Sequence, residues 1–211
     1  MSPIRILAAT AALSTATAGH AAVLVNGSFE ATTFGFPDGW SGNPFVVFVG
    51  DIDGPGGWPG PQDGDQFIDI GYGEISPGVP AFVLSQTVTI TTPGDYRLDW
   101  YHNTFSDTGP GSGVANYHAA ILNADDGTGV EDLFDPGNFG VWGQRSLTTT
   151  LEAGEYTVTF SSGPFSGRDT LLDNVTLTLV PEPGAWAALG GLGCLGWAVW
   201  RRREPAGRVR P

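Results

Sequence analysis

The pattern that most constrains the fold is an alternation of apolar and polar residues along the middle of the chain. In the clearest stretch, Tyr96, Leu98 and Trp100 alternate with Arg97 and Asp99. A period of two places successive side chains on opposite faces of a β-strand, so one face packs on a core and the other meets water. The same period recurs at residues 156–160 and 174–179, and further strands are predicted at residues 23–29, 45–50, 66–70, 82–90, 117–123 and 146–151.

Turn-forming residues separate these strands. Pro93-Gly94-Asp95 and Ala153-Gly154-Glu155 have the composition of hairpin turns. Outside the two ends of the chain, no stretch has the 3.6-residue period of an amphipathic helix. About nine short strands between residues 22 and 179 predict an all-β domain, an antiparallel β-sandwich.

The charge of this middle region restricts its partners. Between residues 23 and 180, twenty Asp and Glu residues face three arginines, which corresponds to a formal charge of −17. Nucleic-acid binding needs clustered basic residues, so we expect no nucleic-acid partner. The charge is compatible with divalent cations and neutral ligands, or it serves solubility alone. Cys194 is the sole cysteine, which excludes an internal disulfide.

The N-terminus has the features of a secretory signal peptide. Arg5 is followed by a largely apolar run over residues 6–18, and Gly19 and Ala21 supply small residues at the cleavage site. This arrangement predicts a signal peptide over residues 1–21, with cleavage after Ala22 as the alternative. The domain over residues 22–179 is therefore expected to be exported.

The C-terminus has the features of a membrane span. Seventeen uncharged residues run from Gly184 to Trp200, and Arg201-Arg202-Arg203 follow directly. As a helix this run rises about 25 Å, close to the thickness of a hydrocarbon core. The positive-inside rule keeps the arginines and residues 204–211 in the cytoplasm, so the domain faces outward.

Three features of this end occur together in one family. Pro181-Glu182-Pro183, the apolar segment and Arg201-Arg202-Arg203 resemble, over residues 180–203, the PEP-CTERM sorting signal of Gram-negative bacteria. The resemblance implies recognition by an integral-membrane exosortase, cleavage near the Pro-Glu-Pro, a transient stay in the inner membrane and delivery to the cell surface or extracellular matrix. Similar tails occur on some ice-binding proteins, which implies nothing for the middle domain.

A second resemblance concerns the two ends of the middle domain. Asn26-Gly27-Ser28-Phe29-Glu30, Gly39-Trp40 and Leu172-Asp173-Asn174-Val175 resemble motifs of the galactose-binding-like jelly rolls found in many carbohydrate-binding modules. The resemblance implies a jelly roll over about residues 23–179. In that family the opening and closing strands are neighbours and often share a structural Ca²⁺, and the matching positions are Glu30 and Asp173. Asn174 stands where the family has a second Asp.

The alternation of the last strand gives Asp173 a separate interest. Asp173 has the parity of Leu171 and Val175, which predicts that its carboxylate points inward. A buried carboxylate needs a partner, and a hard cation is one. The alternative is that the strand begins or bulges at Asn174, which would leave Asp173 hydrated.

Aromatic residues are the candidate ligand contacts, because sugar rings stack on Trp and Tyr side chains. The candidates are Trp40, Trp58, Tyr101 and Trp142. The alternative for each is a place in the core. Trp58 lies in an acidic, glycine-rich segment, residues 50–66, which is either a second metal site, a ligand-gripping loop or a flexible acidic loop.

Catalytic motifs are not found. His102 and His118 lack the spacing of a zinc site, and no Gly-x-Ser-x-Gly elbow is present. We therefore expect a non-catalytic structural or adhesive surface module. The resemblance to PEP-CTERM proteins implies contact with exopolysaccharide, because that sorting system is associated with exopolysaccharide production. The alternative is a carbohydrate-binding module with a defined glycan specificity, and a third possibility is a secreted hydrolase with a pair of carboxylates.

Overall fold

The computed structural model describes residues 24–43, 45–48, 59–71, 74–76, 78–105, 116–137, 140–163 and 168–181. These residues form an all-β domain in which the sheets are antiparallel. Within these ranges no helix is long and apolar enough to cross a membrane. The predicted signal peptide, the sorting segment from Glu182 onward, and Trp58 lie outside the described residues.

The strands are short at the start of the domain and long in its second half. They are β1 (Thr32–Thr33), β2 (Phe36–Pro37), β3 (Ser41–Gly42), β4 (Phe45–Phe48), β5 (Gln66–Asp69), β6 (Glu74–Ser76), β7 (Val79–Pro80), β8 (Val83–Ile90), β9 (Gly94–Phe105), β10 (Tyr117–Asn123), β11 (Gly129–Phe134), β12 (Gly143–Leu151), β13 (Gly154–Ser162) and β14 (Asp169–Leu179).

Two five-stranded sheets dominate the described part of the chain. The first sheet has the strand order β11-β10-β13-β8-β3, and the second sheet has the order β12-β9-β14-β5-β4. β1 pairs with β2, and β6 pairs with β7, as separate two-stranded ribbons. Because most neighbours in the two large sheets are far apart in sequence, the topology is set by long-range pairing.

The core lies between the two large sheets, which makes the domain a β-sandwich. Trp100 of β9 is completely buried and contacts two aromatic rings of the first sheet edge-on. Its ring centroid is 5.0 Å from that of Phe134 and 5.5 Å from that of Phe160. Alternation on both sheets directs one apolar face of each into this layer, as the sequence predicts.

Both predicted hairpin turns are wrong. Gly94 begins β9, but β8 pairs with β13 and β3, whereas β9 pairs with β12 and β14. Gly154 likewise begins β13 of the first sheet directly after β12 of the second. Each turn therefore carries the chain from one sheet to the other. Local turn composition is the same for a hairpin and for such a crossing, because the partner strand is chosen by long-range packing.

The predicted strand at residues 23–29 is also wrong, since residues 24–31 contain a bend and a turn but no strand. Asn26 has a φ of 54°, and its side chain replaces strand pairing. The Nδ2 of Asn26 donates to the carbonyl oxygens of Ala31 (2.6 Å) and Asp38 (3.2 Å), and its Oδ1 accepts from the amide of Ala31 (3.0 Å). An Asn side chain that bonds nearby backbone in this way favours turns over strands.

Candidate functional site

The outer face of the second sheet is built from the polar positions of β9 and β12. Leu98 and Trp100 of β9 point into the core, so the residues between them point to solvent. In the register of the two strands, Tyr101 lies opposite Gln144, Asp99 opposite Ser146 and Arg97 opposite Thr148. These pairs form one continuous polar surface, because residues of the same parity on antiparallel neighbours share a face.

An open groove with a volume of about 480 Å³ lies on this surface. It is lined by Arg97, Asp99, Gln144, Arg145 and Ser146. Arg97 forms an ion pair with Asp99, with its Nε 2.7 Å from the Oδ2. Arg145 is exposed and donates from its Nη1 to the carbonyl oxygen of Gln144 at 3.1 Å.

Arg145 reaches the groove because of its position at the edge of the sheet. It lies opposite Trp100, a core residue, and so has the parity of the inner face. β12 is the outermost strand of the second sheet. The Nη1 of Arg145 lies at this edge, 3.9 Å from the position that a Cβ on Gly143 would take, and Arg145 is one of the residues that line the groove with Gln144 and Ser146.

Two aromatic candidates lie on this same side of the sheet. Tyr101 is half-buried beside Gln144, and Trp142 is half-buried directly before β12. The ring of Trp142 meets that of Phe67 edge-on at 5.8 Å, and its Nε1 donates to the carbonyl oxygen of Gly60 at 2.7 Å. Trp142 thus covers a small apolar cluster on the outer face and leaves part of its ring in solvent.

Trp40, a third candidate, does not belong to this face. It is only 6% exposed and is part of the main core. Its ring lies 5.4 Å from that of Phe29, and its Nε1 donates to the carbonyl oxygen of Asn26 at 3.0 Å. The expectation of an accessible Trp40 is therefore wrong, because the turns of residues 24–31 fold it inward.

Asp173 is completely buried, but it is buried on the outer face of the second sheet and not in the core between the sheets. A β-bulge between Asp173 and Thr176, with Asn174 at a φ of 50°, shifts the alternation of β14. Leu171 and Asp173 consequently lie on the outer face, while Val175 lies in the core. The prediction that Asp173 shares the face of Val175 is wrong, and so is the alternative that a bulge leaves it hydrated.

A turn over residues 62–66 covers Asp173 and holds Glu30. The Oδ2 of Asp173 accepts hydrogen bonds from the amides of Gln62 (2.8 Å) and Asp63 (3.0 Å). The Oε1 of Glu30 accepts from the amides of Asp65 (3.0 Å) and Gln66 (2.9 Å). Burial raises the pKa of Asp173 to about 6, although the hydrogen bonds that its carboxylate accepts from the amides of Asp63, Asn174 and Gln62 oppose the rise.

The side-chain atoms around this turn that could bind a cation are oxygens, the ligand type that hard cations prefer. Glu30 and Asp173 supply carboxylate oxygens, and the buried Oε1 of Gln66 has no hydrogen-bond partner. The Nε2 of the same Gln66 donates to the carbonyl oxygen of Glu30 at 3.1 Å, which places the amide beside that residue. Oxygen-only donors are those Ca²⁺ prefers. In the described segments no cluster of three or more His, Cys, Asp or Glu side chains is present.

A buried hydrogen-bond chain is the polar feature that sequence reasoning missed. The Nε1 of Trp100 donates to the hydroxyl of Tyr117 at 2.7 Å, and this hydroxyl lies 2.7 Å from the Nδ1 of His102. Because the indole only donates, the tyrosine hydroxyl accepts from Trp100, and the tautomer of His102 sets which of the hydroxyl and Nδ1 donates to the other. Burial, aided by the charge of Arg145, lowers the pKa of His102 to about 4.

No protein-family model matches the chain, and no curated protein matches it. Among solved structures, TmCBM61 in complex with β-1,4-galactotriose aligns with a TM-score of 0.53 and 16% identity, over 74% of this chain and 97% of that one. A structure described as "CBM4 structure and function" gives 0.50 and 16%, over 74% and 99%.

The chain has the fold of the carbohydrate-binding-module jelly rolls. An enzyme also has this fold. A cyclase from Fischerella sp. TAU in complex with 4-(1H-indol-3-yl)butan-2-one aligns with a TM-score of 0.55 and 17% identity, over 76% of this chain and 98% of that one. One fold supports both binding and catalysis, so function has to be argued from the groove and its side chains.

Proposed function

We propose that the domain is a non-catalytic glycan-binding module of the cell surface. The observation that carries the proposal is the shared outer face of β9 and β12, where Tyr101 and Trp142 lie on the same side of the sheet as a polar groove. Partly exposed aromatic rings accept the apolar faces of sugars, and amide, hydroxyl and charged groups bond their rims. We propose that the same binding serves an adhesive role at the surface.

The groove lining supports binding over hydrolysis. Glycosidases commonly need two carboxyl groups, one on each side of the scissile bond. Asp99 is the one carboxylate among the groove residues that the structure describes, and Arg97 neutralises it in an ion pair. An ion-paired carboxylate suits hydrogen bonding to sugar hydroxyls.

Glycan binding is tested by exposing the labelled full chain to a glycan array and then titrating the best ligand. Tyr101→Ala is expected to weaken binding about two- to tenfold, the usual worth of an aromatic contact. Phe34→Ala is the matched control, because Phe34 is fully exposed in the β1–β2 turn. Failure of the wild-type chain to bind any glycan would leave a purely structural surface role.

We further propose that the chain is sorted by an exosortase acting at Pro181-Glu182-Pro183. Intact masses of the protein from its host, with and without the exosortase gene, test this step. A surface form ending near Val180 is expected only when the gene is present. If replacement of the three residues by alanine leaves the mature mass unchanged, the sorting proposal is overturned.

We also propose a structural Ca²⁺ held by Glu30 and Asp173 with the Oε1 of Gln66. The ion would stabilise the turn over residues 62–66 and take no part in ligand chemistry. At a concentration one hundred times its Kd it would add about 2.7 kcal/mol to the free energy of unfolding. Chelation is therefore expected to lower the Tm of the wild type but not of Glu30→Gln. Equal Tm values with chelator and with added Ca²⁺ would refute the site.

A further inference from the structure

The placement of arginines in this acidic domain is uneven. Arg97, Arg145 and Arg168 are its three basic residues outside the two ends of the chain, against twenty acidic ones. Arg97 and Arg145 are 48 positions apart in sequence, yet both line the groove of the second sheet. With Asp99 the groove carries a net charge of +1 in a domain that is otherwise strongly negative. An anionic group is therefore favoured at this groove over the rest of the described surface.

The two guanidinium groups retain most of their hydrogen-bond donors. A guanidinium has five N–H donors, and Arg97 directs its Nε–H to Asp99. This bond orients the planar group, because one edge is held by the carboxylate. Arg145 gives one Nη1 hydrogen to the carbonyl oxygen of Gln144. The donors that remain match the two oxygens of a carboxylate, which arginine binds with two parallel hydrogen bonds.

The rest of the groove suits a sugar ring. The amide of Gln144, the hydroxyl of Ser146 and the carboxylate of Asp99 can bond ring hydroxyls, and Tyr101 lies directly opposite Gln144. The volume of about 480 Å³ lies within the range of small-ligand sites. A ligand that uses all of these groups has an apolar ring face, hydroxyls and one carboxylate.

We propose that this groove binds the carboxylate of a uronic acid in an acidic polysaccharide. The inference rests on the proposed glycan-binding function and names the substrate class. Recognition is local, because the Debye length of about 8 Å at physiological ionic strength screens the distant acidic residues from a sugar held between Arg97 and Arg145.

The test is calorimetric titration of the full chain with tetragalacturonic acid, its carboxyl-reduced neutral analogue and a sulfated neutral tetrasaccharide. Tetragalacturonic acid is expected to bind at least tenfold more tightly than either of the others. Arg145→Gln is expected to lower the affinity at least tenfold. Arg145→Lys is expected to lower it less, because lysine keeps the charge but lacks the paired N–H donors that bind both carboxylate oxygens. Arg168→Gln is the control, since Arg168 does not line the groove.

The possible outcomes distinguish failure of the uronate site from failure of the proposed glycan-binding function. If the neutral analogue binds as well as the uronide and Arg145→Gln has no effect, the uronate site is overturned while glycan binding stands. Equal binding of the sulfated sugar overturns carboxylate recognition, because charge alone would then suffice. If none of the sugars and no array glycan binds, the proposed function fails and the inference falls with it. Unchanged Tm values show that Arg145→Gln and Arg145→Lys remain folded.

Discussion

Acidification from pH 7 to pH 4 should destabilise the domain through His102. The imidazole is completely buried, and its pKa is lowered from 6.5 to about 4. In the unfolded chain the same group titrates near 6.5, so the unfolded state binds the extra proton between these two values. The stability that comes from keeping His102 neutral is complete above pH 6.5 and is lost as the pH falls through 4.

The magnitude follows from the size of the shift. A displacement of about 2.5 pKa units at 1.36 kcal/mol each corresponds to about 3 kcal/mol. Near pH 5, one proton taken up on unfolding gives a slope of about 1.4 kcal/mol per pH unit. Asp173 acts in the opposite sense between pH 3.8 and about 6, because its raised pKa makes the folded state bind the proton. The wild-type curve alone therefore underestimates the contribution of His102.

The assay is urea unfolding of the wild type and His102→Gln from pH 4 to pH 8. Glutamine offers Tyr117 an acceptor but does not titrate, so subtraction of the two curves cancels Asp173. The difference in unfolding free energy should change by about 1.4 kcal/mol per pH unit near pH 5 and stay constant above pH 7. Parallel curves at every pH, or an NMR titration midpoint of His102 at 6 or above, would refute the reasoning.

Three further substitutions test the core. Tyr117→Phe should cost about 2–4 kcal/mol, because it leaves the Nε1 of Trp100 and the Nδ1 of His102 buried without partners; chemical unfolding at pH 7 measures it. Gln86→Ala removes bonds to both backbone groups of Val25 and should lower the unfolding free energy by about 1–3 kcal/mol, with early proteolysis near the N-terminal end. Gly27→Ala places a Cβ against the carbonyl oxygen of Val175 and should lower the free energy of unfolding by at least about 2 kcal/mol. Gly60→Ala, whose Cβ would have no atom within 4 Å, should leave the Tm unchanged.

The long strands were predictable because their alternation is local. β8, β9, β10, β13 and most of β14 lie where the sequence predicts them, since a strand with one apolar face reveals its period in a few residues. β11 was missed, because its exposed edge position leaves only Val130 and Phe134 partly buried. The sequence is compatible with a bulge at Asn174, but the effect of that bulge on Asp173 depends on a turn more than one hundred residues away.

The candidate site was only partly predictable. The parity of Tyr101 and the loop-like context of Trp142 favour exposure, and the structure brings both to the outer face of the second sheet. Trp40 has the same loop-like context as Trp142 but lies in the core. Nothing in the local sequence distinguishes these cases, because the burial of a tryptophan in a loop depends on which distant residues cover it.

By itself, the sequence determined the all-β class, the acidic surface and the two ends that predict export and sorting, because these follow from local periodicity and composition. Only the tertiary structure decided which strands pair, which turns cross between sheets, and that Arg97 and Arg145 share one groove. It also joined Trp100, His102 and Tyr117 into a buried chain. These features arise from contacts between residues far apart in sequence, and the alternation of a strand identifies its buried face but not its partner.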